Sequence, residues 1–214
     1  QLLVVSLSIL GFSKNPGVQM WMMTRGRIVP MLSLLLSSIV FVIMSLSEEA
    51  RQTAPRKWQL LTIFTLGEAI AIGFIASMYS SKNVISAMLA TAVGTISVTL
   101  YTLMNRNPKR DLSQWGATLS SVGTIFFVYA LIHFLSLVGI LPRNFLPYSE
   151  TIFCFLGASL FSFYLAYHTR LIVSGKHTKY QLNHKDYVFG AMLLYNDIVN
   201  IFLYILRILG DRDD

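Results

Sequence analysis

Asp197 is the residue of this chain that most needs a chemical explanation. It stands at the middle of the apolar stretch 187–209, YVFGAMLLYNDIVNIFLYILRIL, flanked by Asn196 and Asn200. That stretch is long enough to cross a bilayer as one helix. An acid at the centre of a spanning helix costs about 2.5–3.5 kcal/mol on insertion scales, so it faces protein or water and needs a partner. Three other ionisable residues lie well inside apolar runs: Glu68, His133 and His168. Carboxylates at such depth can carry or gate a cation, and an imidazole beside a carboxylate makes a pH-sensitive pair. The plainer reading is a set of structural hydrogen bonds between helices. It is preferred for His133 and stands level with function for Glu68, which lies between Gly67 and Gly73. For Asp197 the functional reading is preferred.

His168 is the natural partner to test. It lies near the end of one apolar run, and Asp197 lies on the next, which returns antiparallel beside it. Counted from Asn183, Asp197 is about 21 Å up its helix; counted from Ser174, His168 is about 9 Å in. The two are level only if one helix extends past the bilayer. A sequence search for other chemistry finds no Walker motif, no HExxH and no GxSxG. The nine methionines have no spacing that suggests copper. No enzyme activity and no cofactor are expected.

The elements that must position these residues follow from composition. The chain is 54% hydrophobic and 13% charged, with a mean hydropathy of +0.59. A soluble domain carries about twice that charge. The apolar residues come in long runs with short polar breaks, which predicts an all-α polytopic membrane protein forming a single domain over 1–214. Spans are expected near 28–46, 58–79, 84–104, 115–140, 148–173 and 187–209. Residues 1–12 are too short to cross and read as the end of a first helix; a signal-peptide core is the alternative, without a basic flank or a clear cleavage site. The run 84–104 is rich in the small residues that let membrane helices approach closely.

Between the spans lie Lys14-Asn15-Pro16-Gly17, a strong break, and an interfacial segment with Trp21, Arg25 and Arg27. The polar link 47–57, the tight connection 80–83 and three further links at 105–114, 141–147 and 174–186 complete the chain. Gly175 reads as a helix C-cap, and Asn183 with Asp186 as a capping box. Cys154 is the single cysteine and lies inside an apolar run, so no intrachain disulfide forms.

The net charge of +7 would suggest nucleic acid in a soluble protein. Here the bases sit between spans, so the partner is the lipid bilayer and no nucleic acid is expected. The links after the second, fourth and sixth spans carry ten of them: Arg51, Arg56, Lys57, Arg106, Lys109, Arg110, Arg170, Lys176, Lys179 and Lys185. The other side carries seven. The bias turns the ten-base side, with Lys109 and Lys179, to the cytoplasm or a mitochondrial matrix, and Arg143 to the opposite side.

Several stretches resemble the transmembrane Bax inhibitor motif family, in particular its lifeguard branch. Leu194-Tyr195-Asn196-Asp197-Ile198-Val199-Asn200-Ile201-Phe202-Leu203 with Leu206-Arg207 resembles the family's last-helix signature. Tyr167-His168-Thr169 resembles its Tyr-Asp-Thr, and Phe64-Thr65-Leu66-Gly67-Glu68 its Phe-Thr-Leu-x-Glu. Asn15-Pro16-Gly17-Val18-Gln19 and Asp111-Leu112-Ser113-Gln114-Trp115-Gly116 are similar to lifeguard links.

The resemblance implies seven helices with the last one central in the bundle. It implies a pH-sensitive calcium leak and a role in cell-death regulation. In the family two aspartates pair across the last two helices. Asp197 matches the second, while His168 stands at the first. Calcium enters as a transported ion, with Asp197 as its contact and His168, Glu68 and Asn200 along the pathway or its gate. A basic residue near the start of the third helix is matched by Arg51 or Arg56. The alternative to a leak is a non-transporting accessory subunit of a larger membrane complex, with protein partners. An intracellular membrane is expected, of the ER, the Golgi or the mitochondrion.

Overall fold

The computed structural model describes residues 1–26, 28–104, 115–137, 150–174 and 184–210. The described elements are α1 (Leu2–Lys14), α2 (Pro16–Thr24), α3 (Ile28–Leu46), α4 (Glu48–Gln52), α5 (Arg56–Ser77), α6 (Ser81–Met104), α7 (Gly116–Leu137), α8 (Glu150–Ser174), a 3-10 turn His184–Asp186 and α9 (Tyr187–Leu209). No strand occurs among the described residues. Among them, α3, α5, α6, α8 and α9 are long and apolar enough to cross a membrane, and α1 and Gly116–Tyr129 are shorter apolar helices. The chain is thus an all-α polytopic membrane protein. Arg27, Lys109, Arg143, Gly175, Lys179 and Asn183 lie outside the described residues, as do the side chains of His133 and His184.

In lipid each backbone polar group must be satisfied within the helix, and so must side-chain hydroxyls. The spans do this locally. Ser38, Ser45, Thr62, Thr65, Thr91, Thr102, Ser121, Thr124, Ser159 and Ser162 each donate to the carbonyl four residues earlier. Polar letters inside an apolar run therefore leave it a spanning helix. The outward faces stay apolar: Leu32, Leu35, Leu36 and Ile39 of α3 are exposed, as a lipid-facing surface requires.

The chain forms two compact units. The first comprises 1–86, 182–195 and 212–214. At its centre is α5. Ser8 of α1 donates to the Ala69 carbonyl at 2.6 Å, and Gln19 of α2 to the Ser77 carbonyl at 2.8 Å, so α1 runs parallel to α5. Gly73 gives Ser8 and Phe12 their room. On α3, Phe41 meets Phe64 while Ser33 and Ser37 meet Gly67, an antiparallel register. Trp58 meets Tyr187 and Phe64 meets Tyr195, so the first part of α9 runs parallel to α5. These directions match the alternation expected of successive spans.

Several boundaries differ from the sequence expectation: α1 runs to Lys14 rather than 12, and α5 is Arg56–Ser77 rather than 58–79. The link 47–57 is not all irregular: Ser47 accepts from the Ala50 amide and caps α4, with Glu48 and Glu49 in the favourable first turn. The helix α6 begins at Ser81 rather than near 84, because the Ser80 hydroxyl accepts from the Asn83 amide.

The second unit comprises 87–181 and 196–211. Here α7 and α8 pack antiparallel: Tyr167 meets Gly116, Tyr164 meets Gly123, and Phe153 stacks on Phe126 at 4.3 Å. The later part of α9 runs antiparallel to α8, with Tyr204 against Gly157 and Asp197 against His168. Cys154 is fully buried, as its place in an apolar run predicts. Half of the apolar stretch of α9 is buried (50%) and slightly more of α5 (56%), against 22–28% for α3, α6 and α8. Among these five described spans, α9 is one of the two most enclosed.

Candidate functional site

The second unit brings His168 and Asp197 together. His168 Nδ1 lies 2.6 Å from Asp197 Oδ2, and the side chains are 13% and 2% exposed. The depth mismatch anticipated from the sequence is reduced because α9 begins at Tyr187, with the 3-10 turn before it. Asp197 is then about 15 Å up α9 and His168 about 9 Å into α8. Side-chain reach covers the remaining turn. A short contact between an acid and an imidazole away from water is strong, because the low dielectric enhances it.

The imidazole is held from α8 itself. Tyr164, one turn earlier, stacks on it at 5.7 Å, and Tyr167 meets it edge-on at 5.4 Å. Both tyrosines are fixed in turn by α7. The Tyr164 hydroxyl donates to the Leu119 carbonyl at 2.8 Å. It reaches that carbonyl through the space where Gly123 has no side chain. The Tyr167 hydroxyl stands 2.7 Å from where a Cβ on Gly116 would be. Gly116 and Gly123 are seven residues apart and share one face of α7. Neither glycine nor either tyrosine was singled out as a site residue from the sequence; the seven-residue glycine spacing was the available signal.

Asn200, expected along the pathway, donates to the Asn196 carbonyl of its own helix at 2.8 Å. The structure gives it no bond to Asp197 among the described residues. Glu68 belongs to the other unit and is buried on α5. It takes no part in the His168–Asp197 contact.

The two arginines have different surroundings. Arg51 is 7% exposed and its Nε lies 3.3 Å from Asp186 Oδ1, which is 1% exposed. The guanidinium also donates to the Ser45 carbonyl at 3.2 Å and lies over the Phe189 ring. Arg56 is largely exposed and pairs with exposed Glu49 at 3.6 Å. Asp186 points its carboxylate at Arg51 from the foot of α9; the capping box expected with Asn183 lies partly outside the described residues. No group of three or more metal-binding side chains occurs among the described residues.

These features define a polytopic helical membrane protein with a buried acid–imidazole contact between its last two spans. The whole chain, residues 1–214, matches the family described as inhibitor of apoptosis-promoting Bax1, and it belongs to that Bax inhibitor family. It is 31% identical to protein lifeguard 3 of Mus musculus over 175 residues, covering 82% of this chain and 54% of the relative. It is 30% identical to protein lifeguard 3 of Homo sapiens, covering 82% and 53%. Lifeguard 4 of Mus musculus is 33% identical over 162 residues, covering 74% and 60%. The chain thus spans about half the length of the lifeguard 3 relatives.

Proposed function

We propose that this chain forms a cation leak pathway whose closing contact is the His168–Asp197 pair, with calcium as the transported ion. The observation that carries the reading is the 2.6 Å contact itself, between two groups that sequence reasoning paired for function. A pair of acids repels when both ionise, whereas an acid and an imidazole attract or share a hydrogen bond. The contact ties α8 to α9 and holds the pathway shut. Its place in an intracellular membrane and a part in restraining cell death belong to the same proposal, supported by the family description.

A second reading has one observation in its favour. Calcium prefers hard oxygen ligands, and the group facing Asp197 is a nitrogen. On that reading the chain keeps the fold as a non-transporting accessory subunit of a larger membrane complex.

Calcium flux into liposomes separates the two. The wild-type chain and His168→Asp are reconstituted side by side and assayed from acidic to mildly alkaline pH. The leak reading expects a low flux in wild type and a raised flux in His168→Asp that falls on acidification, as the two acids come to share a proton. Equal leak in both proteins at every pH removes His168 as the closing contact. No flux in either favours the accessory subunit.

A further inference from the structure

Lys57, the second residue of α5, is a cation packed against a ring and not against an acid. The residue is 8% exposed, and its ammonium lies over the Tyr187 ring of α9, 4.5 Å from the centroid. It makes no hydrogen bond or ion pair with a described residue. Its nitrogen is not sealed off from the outside. The acids nearest in sequence and at the foot of α9 are engaged elsewhere. Glu48 and Asp186 face Arg51 at 3.4 and 3.3 Å, and Glu49 faces Arg56 at 3.6 Å. The links 47–57 and 174–186, which lead into α5 and α9, hold six lysines and arginines against these three acids.

The surroundings are those of a headgroup layer. Trp58 and Tyr187 are 48% and 54% exposed, and their rings meet edge-on at 6.1 Å where α5 and α9 both begin. Amphipathic rings at the ends of spans sit at the depth of lipid headgroups. A lysine at that depth buries its stem along the helices and keeps its charge at the surface. The aromatic face attracts the ammonium but does not neutralise it. The two links offer no further acid, and the anion a bilayer supplies at this depth is the lipid phosphate. The kind of lipid follows from charge. The Tyr187 face already carries an ammonium, so a choline or a second amine brought beside it would be repelled, whereas a phosphate without an amine would not.

We propose that the start of α5 and α9 binds the phosphate of an anionic membrane lipid whose headgroup carries no amine. Lys57 is its ionic contact, a point charge for phosphate, and Trp58 and Tyr187 lie against the headgroup. The inference does not rest on ion conduction and holds whether or not the chain transports calcium.

Native mass spectrometry of the purified full chain in detergent, titrated with phosphatidylglycerol or with phosphatidylcholine of the same acyl chains, tests it. The first phosphatidylglycerol is expected to bind at least about fivefold more tightly, the worth of one lysine beside an anionic headgroup. Lys57→Met, which keeps an apolar stem and removes the charge, should bring the two lipids level, and Lys57→Arg should keep the preference. Lys82→Gln removes an exposed lysine beyond the far end of α5 and should change nothing. Inorganic phosphate in large excess should leave the lipid bound; displacement by it would show that the site takes a free anion and would overturn the lipid assignment. An equal loss in Lys57→Met and Lys82→Gln would reduce the effect to overall charge and overturn the site. If the wild-type chain binds the two lipids equally, the proposal is overturned, whatever the variants do.

Discussion

The hydroxyl of Tyr164 stands where a side chain on Gly123 would be, and from there it reaches the carbonyl of Leu119. Leu119 is one helical turn before Gly123, so its carbonyl points along the helix toward the glycine amide. Only the missing Cβ leaves that carbonyl open from the side. The stacking of Tyr164 on His168 therefore begins with a glycine on a different helix.

Gly123→Ala is expected to displace Tyr164 and destabilise the chain by about 1–3 kcal/mol, the usual cost of overpacking. Removing the hydroxyl relieves the nearest clash, so Gly123→Ala with Tyr164→Phe should be less destabilised than Gly123→Ala alone. Thermal unfolding in detergent compares the three proteins. If the double variant is as unstable as the sum of the two single changes, the glycine is not making room for the tyrosine.

Asp197→Asn keeps the size and a hydrogen-bonding head, and should leave the chain folded while abolishing any calcium flux. Asp197→Leu leaves the buried His168 without its partner and should lower stability by about 1–3 kcal/mol. Detergent-phase unfolding and liposome flux read the two effects separately. Flux that survives Asp197→Asn unchanged means that the pathway does not run through this residue.

Arg51 and Asp186 form a buried ion pair, and removing one partner takes away the opposite charge that offsets the burial of the other. Arg51→Gln or Asp186→Asn should each cost about 3–5 kcal/mol, and Arg51→Met with Asp186→Leu much less than the two together. Arg56→Gln, on the exposed pair with Glu49, should cost about 0–1 kcal/mol. Comparable losses at Arg51 and Arg56 would contradict the geometric distinction between them.

The topology can be read by cysteine labelling in a Cys154→Ala background. Arg56→Cys and Lys185→Cys, at the feet of α5 and α9, should react with an impermeant reagent from one side of the membrane, and Lys82→Cys from the other. Labelling of all three from one side would break the alternation of spans.

Most of the architecture was legible because apolar runs of spanning length have few alternatives. The bounds of α3 and α9 coincide with the sequence expectation, 28–46 and 187–209. Asp197 and His168 were legible as a pair for the same reason: an ionisable group in such a run stands out. The different burial of Arg51 and Arg56 was not legible. Arg51 is buried because Ser47 starts a short helix there and because Asp186 waits at the foot of α9, two facts joined only in three dimensions. Tyr164 was missed because a tyrosine in an apolar span reads as packing until the surroundings of its hydroxyl are known.

The hydroxyls that bond within their own helices have a further consequence. A serine or threonine that donates only to the carbonyl four residues back spends its proton inside its own helix and has none to offer a second one. Ten hydroxyl groups in the described spans are silent in that sense. Hydrogen bonds that join one described helix to another include Ser8 and Gln19 onto α5, Ser37 across to Phe64, Arg51 onto the Ser45 carbonyl, Tyr164 onto α7 and His168 with Asp197. A substitution at one of these joining side chains removes a link between two helices, whereas one at a hydroxyl bonded within its own helix does not.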